Sequence, residues 1–167
     1  MLRSDIEKKA NKIRDQYGMN QPPINVEDIC RKMKISVDYI DMQEIEKRVG
    51  KDISGAIISR GDKSEIKINS RDIQSRQRFT IAHELGHKIL HIANDSDDVI
   101  ISFRCLKNNR EREADAFAAE LLMPRDMVKE EHGKLFYPLV SQLAETFRVS
   151  KAAMKNRLDE LGLSYIG

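Results

Sequence analysis

The chain has 167 residues, 40% of them apolar and 34% charged, and its 29 basic and 27 acidic residues leave a formal net charge of +2. That composition can build a compact core, and the near-cancelling charge argues against charge-driven disorder and against a bulk polyanion-binding role. No apolar run approaches the ~18 residues of a membrane span, the first nine residues hold no apolar signal core, and Cys30 and Cys105 stand far apart. A cytoplasmic protein with two free thiols and no membrane partner is the expectation.

Leu2, Ile6, Ala10, Ile13 and Tyr17 recur at helical spacing, and Gly18 closes that first helix. Pro22 and Pro23 break the chain, and Asn25 is placed to cap a second helix carrying Val26, Ile29, Cys30 and Met33. Residues 35–39 alternate as a strand does. The segments 54–59 and 65–69 flank Gly61 and Asp62 and read as a hairpin. One long helical pattern runs from about Asp72 to Ala93. Residues 94–109 are polar and irregular, with an apolar interruption at Val99–Phe103. A strong helix follows from Asn109 to Met123, Pro124 can sit in the first turn of another, and two more span 138–147 and 150–161. No repeat or linker-like tract divides the chain. The class is α+β, as one domain over 1–167: N-terminal helices in 1–34, sheet and site-bearing helices in 35–125, and a helical part in 126–167.

Three of the four histidines, His83, His87 and His91, lie within nine residues, and His83-Glu84-x-x-His87 is a zinc-peptidase pattern. Residues four apart share a helix face, so both imidazoles can reach one metal. Glu84, beside them, can reach a water at the metal's open position and act as general base. A catalytic zinc needs a third protein ligand. His91 lies about 12 Å from His83 along a straight helix, too far to join. The segment 111–120 offers several carboxylates instead, among them Glu111, Glu113 and Asp115. A structural zinc would normally be closed by four Cys or His ligands, and neither cysteine has that spacing.

The run Arg78–His87, followed by Glu111-x-Glu113-Ala114-Asp115-x-Phe117-Ala118-Ala119-Glu120-Leu121-Leu122-Met123-Pro124, resembles the ImmA/IrrE family of metallo-endopeptidases, a gluzincin-like group. The resemblance is strong over roughly residues 50–125. It implies zinc held by His83, His87 and Glu111, catalysis by Glu84, and Asp115 hydrogen-bonded to a ligating histidine. Many members carry Asn where this chain has Asp115. Glu111 is preferred over Glu113 because two residues on a helix point about 200° apart, whereas Glu111 and Asp115 share a face. Glu113 is then expected near solvent, pairing with Arg110 or Arg112, and His91 is expected as a helix-face residue near the site. His132 reads as a surface residue. Tyr39, Tyr137 and His132 all remain open as oxyanion helpers.

The implied fold is a small, antiparallel-containing sheet packed on a mainly helical zinc-peptidase domain with a C-terminal helical hairpin. The implied activity is cleavage of a protein substrate, a helix-turn-helix transcriptional repressor of a phage, mobile element or stress response. The 54–59 strand is expected as a sheet edge to which an extended peptide adds. The hairpin at 139–162 itself resembles a helix-turn-helix, and Arg148, Lys151, Lys155 and Arg157 could meet phosphates. The alternative function is therefore a DNA-binding regulator with a structural or sensory zinc. Packing of Leu143, Phe147, Val149, Met154, Leu158 and Leu161 onto the core is the preferred account of that hairpin.

Overall fold

The computed structural model describes residues 1–93, 96–104 and 107–167. Its architecture is α+β, with eight helices and one four-stranded mixed sheet among the described residues. Helix α1 (Arg3–Gln16) buries Ile6, Ala10 and Ile13, the single apolar face that their spacing predicts. Helix α2 (Val26–Lys32) begins where the Asn25 side chain accepts from the Asp28 amide at 3.0 Å. Strands β1 (Ile35–Ile40), β2 (Ile53–Arg60) and β3 (Lys63–Asn69) follow, with helix α3 (Gln43–Val49) between the first two. Helix α3 buries no residue, so no apolar stripe marks it in the sequence, and it was not among the expected elements.

The sheet order is β1-β3-β2-β4, with β1 parallel to β3 and the other pairs antiparallel. Two expectations are corrected here. The segment expected to be irregular holds a strand, β4 (Asp98–Phe103), whose Ile100 faces Ile57 and whose Ile101 faces Ala56 across the ladder. The 54–59 strand is therefore interior, and β4 takes the edge that was expected of it. A lone six-residue run in a polar context is a weak strand signal. What secures it is pairing, because β2's second row of backbone donors and acceptors needs partners beside a buried helix.

Helix α4 (Gln74–His91) is buried without a break from Thr80 to His87. It lies between the sheet and helix α5 (Asn109–Leu122), so its middle has no solvent face. Two glycines permit this closeness. A Cβ on Gly86 would stand 3.1 Å from Phe117 Cδ1 and 3.2 Å from the Ala114 carbonyl of α5. A Cβ on Gly55, in β2, would stand 2.7 Å from Thr80 Cγ2 and 3.1 Å from Glu84 Oε1.

Helices α6 (Arg125–Gly133), α7 (Val140–Phe147) and α8 (Lys151–Leu161) complete the chain. Pro124 precedes α6 as its N-cap residue rather than entering the first turn. Between α7 and α8, Arg148 adopts a left-handed φ of 51°, and the Ser150 hydroxyl caps α8 by accepting from the Ala153 amide at 3.1 Å. Leu143, Phe147, Val149, Met154 and Leu158 are buried, so the hairpin packs on the core. Arg157 is buried with them. Its guanidinium pairs through both terminal nitrogens with Glu120 of α5 and donates from Nε to the Met123 carbonyl at 2.9 Å. One of the four cations proposed to meet phosphates is thus committed to the interior. Cys30 is buried and free, and Cys105 lies outside the described residues. Among the described residues no helix is long and apolar enough to cross a membrane.

Candidate metal centre

His83 and His87 stand one turn apart on the middle of α4 and both are buried. Glu111 comes from the first turn of α5, where its amide donates to the Asn108 side chain that caps the helix, at 2.9 Å. The close α4–α5 packing aims the three at one point. His83 Nε2 lies 3.1 Å from His87 Nε2 and 3.1 Å from Glu111 Oε2, and His87 Nε2 lies 3.2 Å from Glu111 Oε1. The ligand atoms of all three residues fall within 4.8 Å of one another. Ligands held tetrahedrally at ~2.0–2.1 Å from a zinc sit about 3.3 Å apart, so these separations fit. Two imidazole nitrogens aimed at each other and at one carboxylate cannot all hydrogen-bond together; they can share a cation.

The electrostatics agree. Burial alone would lower the His83 pKa, but hydrogen bonds to Asp115 and Glu111 outweigh it and carry it up to about 10. Burial would raise Glu111, but its contacts with His83 and His87 bring it down to about 2. Both shifts describe one place where positive charge is favoured.

Glu84 is wholly buried next to the cluster, close to Gly55 of β2, and neither carboxylate oxygen has a hydrogen-bond partner among the described residues. Burial pushes its pKa up to about 7, against the opposing pull of His83 and of the nearby Ser102 hydroxyl, which is itself without a partner. A buried carboxylate without a protein partner, beside two imidazoles and a second carboxylate that converge, fits a site built around a cation and its water.

Asp115 lies one turn beyond Glu111, and its Oδ1 accepts from His83 Nδ1 at 2.8 Å. That bond leaves the His83 Nε2 lone pair for a metal. Glu113 does face away from Glu111, but it does not pair with the arginines as expected. It meets His91 Nε2 at 2.9 Å and the Met1 amino group. His91 in turn lies against His87, Nδ1 to Nδ1, at 3.0 Å. His91, expected on the helix face near the site, thus touches one of the convergent imidazoles.

A cavity of about 380 Å³ opens over the centre. His83, Glu111 and Asp115 line one side, Ser102 and Arg104 the β4 side, and Asn156 of α8 the far side. None of the three oxyanion candidates borders it. Tyr39 donates to Glu27, His132 Nε2 donates to the Ser164 carbonyl at 2.7 Å, and Tyr137 packs edge-on against Phe136. Ser102, Arg104 and Gly55 escaped the sequence reading. The apolar run before Arg104 was the available signal, but nothing in it indicates which strand it joins.

Residues 30–159 match the IrrE N-terminal-like domain, a peptidase family. Over 157 residues the chain is 28% identical to the metallopeptidase ImmA of Bacillus subtilis (strain 168), covering 94% of this chain and 86% of that protein. The matched span contains the His-His-Glu cluster, the orphaned Glu84 and the cavity above them. The chain belongs to the ImmA/IrrE family of metallopeptidases.

Proposed function

We propose that the protein is a zinc-dependent endopeptidase whose substrate is a helix-turn-helix transcriptional repressor. The observation that carries the zinc-peptidase reading is the convergence of His83, His87 and Glu111 beside the fully buried Glu84, with His83 and Glu111 lining the cavity above. His83, His87 and Glu111 would hold the ion, and their nitrogen and carboxylate chemistry suits zinc. Bound there, zinc supplies Lewis acidity toward a carbonyl and makes water more acidic.

The chain's own residues do the rest. Glu84 takes the proton of the attacking water and later delivers it to the leaving amine nitrogen. Its buried setting suits this, since a carboxylate lifted toward neutrality both accepts and releases a proton readily. Asp115 keeps the His83 ring turned with Nε2 inward. An extended substrate segment adds to the outer edge of β4, which has no strand partner among the described residues, and its backbone bonds bring the scissile amide over the cluster. The repressor rests on family resemblance, which associates such compact members with regulated proteolysis.

The test measures zinc content and cleavage of purified helix-turn-helix repressors from the same genome, beginning with any that a neighbouring gene encodes. The expected result is about one zinc per chain, with cleavage abolished in Glu84→Gln while that variant keeps its metal. Cleavage by Glu84→Gln at the wild-type rate would remove Glu84 from the reaction. An intact repressor alongside a cleaved peptide of another sequence would overturn only the substrate.

A further inference from the structure

His87 is wholly buried and has two nitrogens to satisfy. Its Nε2 faces His83 and Glu111. Among the described residues its Nδ1 meets His91 Nδ1, at 3.0 Å, and His91 Nε2 meets Glu113 Oε2 at 2.9 Å. Four ring nitrogens and one carboxylate thus form a line from the cluster to Glu113 of α5, which also meets the Met1 amino group. Proton positions along it follow from the partners. Glu113 can only accept, so His91 Nε2 carries its proton. A neutral His91 then offers Nδ1 as an acceptor, so His87 Nδ1 carries the next proton. His87 Nε2 is left with its lone pair free, pointing at Glu111.

We propose that His91 and Glu113 are positioning residues that lock His87 into its metal-binding tautomer and ring orientation. The proposal rests on the zinc-centre reading above. It assigns His87 the counterpart of what Asp115 does for His83, through a histidine one turn along the same helix. The two supports differ in exposure. The Asp115 carboxylate is 59% exposed, whereas His91 is 7% and Glu113 21% exposed. Water competes for the Asp115 bond far more than for the His91 bond, so the His87 tether is the stiffer of the two. The spacing explains why His91 can do this without being a ligand. Four residues beyond His87 it shares that ring's face of α4, yet it stands two turns from His83.

The experiment measures zinc affinity by chelator competition on the full chain, for wild type, His91→Phe, His91→Gln, Glu113→Leu and the His91→Phe/Glu113→Leu double variant. Phe keeps the ring and removes both nitrogens. Gln restores an acceptor toward His87 and a donor toward Glu113. His91→Phe should weaken zinc binding about 10–100-fold, and Gln should recover most of the loss. Glu113→Leu should weaken it less, and the double variant should be no worse than His91→Phe, because the two residues act in series. The metal-free proteins should melt alike, which separates positioning from general packing. His91→Phe binding zinc as tightly as wild type, or losses that multiply in the double variant, would overturn the tether alone. Should His91→Phe not fold, Glu113→Leu and His91→Gln carry the same comparison. A wild-type protein that takes up no zinc would overturn the metal centre as well.

Discussion

Gly55 tests how tightly β2 is pressed against the site-bearing helix. In Gly55→Ala the new methyl would stand 2.7 Å from Thr80 Cγ2, 3.0 Å from the Lys67 carbonyl and 3.1 Å from Glu84 Oε1. The first contact is shorter than carbon atoms tolerate, and the second is backbone of the neighbouring strand, which cannot retreat without opening the β2–β3 ladder. Overpacking of this kind costs about 1–3 kcal/mol. Replacing a strand-interior glycine returns about 0.5–1 kcal/mol of chain entropy. The net loss should be about 1–2 kcal/mol, which lowers Tm by about 2–8 °C in a chain of this size. The structure also separates stability from activity. Thr80→Ser deletes Cγ2, so Gly55→Ala/Thr80→Ser should regain much of the stability. The contact with Glu84 Oε1 remains in the double variant, so cleavage should stay impaired. Urea denaturation of the metal-free proteins gives the first quantity, and kcat/KM on a repressor-derived substrate gives the second. A Gly55→Ala protein as stable and as active as wild type would refute the close approach, and a double variant recovering activity together with stability would refute the crowding of Glu84.

Three further outcomes follow from the geometry. Arg157→Ala leaves buried Glu120 with only the half-exposed Arg3 guanidinium, at 3.3 Å, as counter-charge and should cost about 3 kcal/mol in urea denaturation, whereas Arg157→Met with Glu120→Leu should be much milder. Glu111→Gln should weaken zinc binding strongly. Asp115→Ala should fall at the lower end of a ~10–100-fold loss, because its carboxylate is 59% exposed; equal losses by chelator competition would contradict that ranking. In a Cys105→Ser background, Cys30 should resist alkylation at pH 8 until the protein unfolds, since burial carries its thiol up to about 12 and leaves almost no thiolate. Rapid labelling of the native protein would show that the α2 region opens.

The sequence alone was enough for the features that depend on spacing along one element. Four-residue intervals put His83 with His87 and Glu111 with Asp115 on shared helix faces, and the backbone geometry of a helix guarantees that wherever the helix lies. Caps at Asn25 and Ser150 were equally legible, because a capping side chain bonds within its own turn. Features that join distant segments were not. Whether β2 or β4 forms the sheet edge depends on strand pairing, which two short apolar runs do not encode by themselves. His91 reads in the sequence as a helix-face residue near the site, and its link to Glu113 appears only once α5 packs against α4. Arg157 looked like a surface cation until the α7–α8 hairpin folded it onto Glu120. In each case the role was decided by a partner more than twenty residues away, and only tertiary packing, α4 on α5 for His91, α8 on α5 for Arg157 and β4 on β2 for the sheet edge, brings such partners within hydrogen-bond reach.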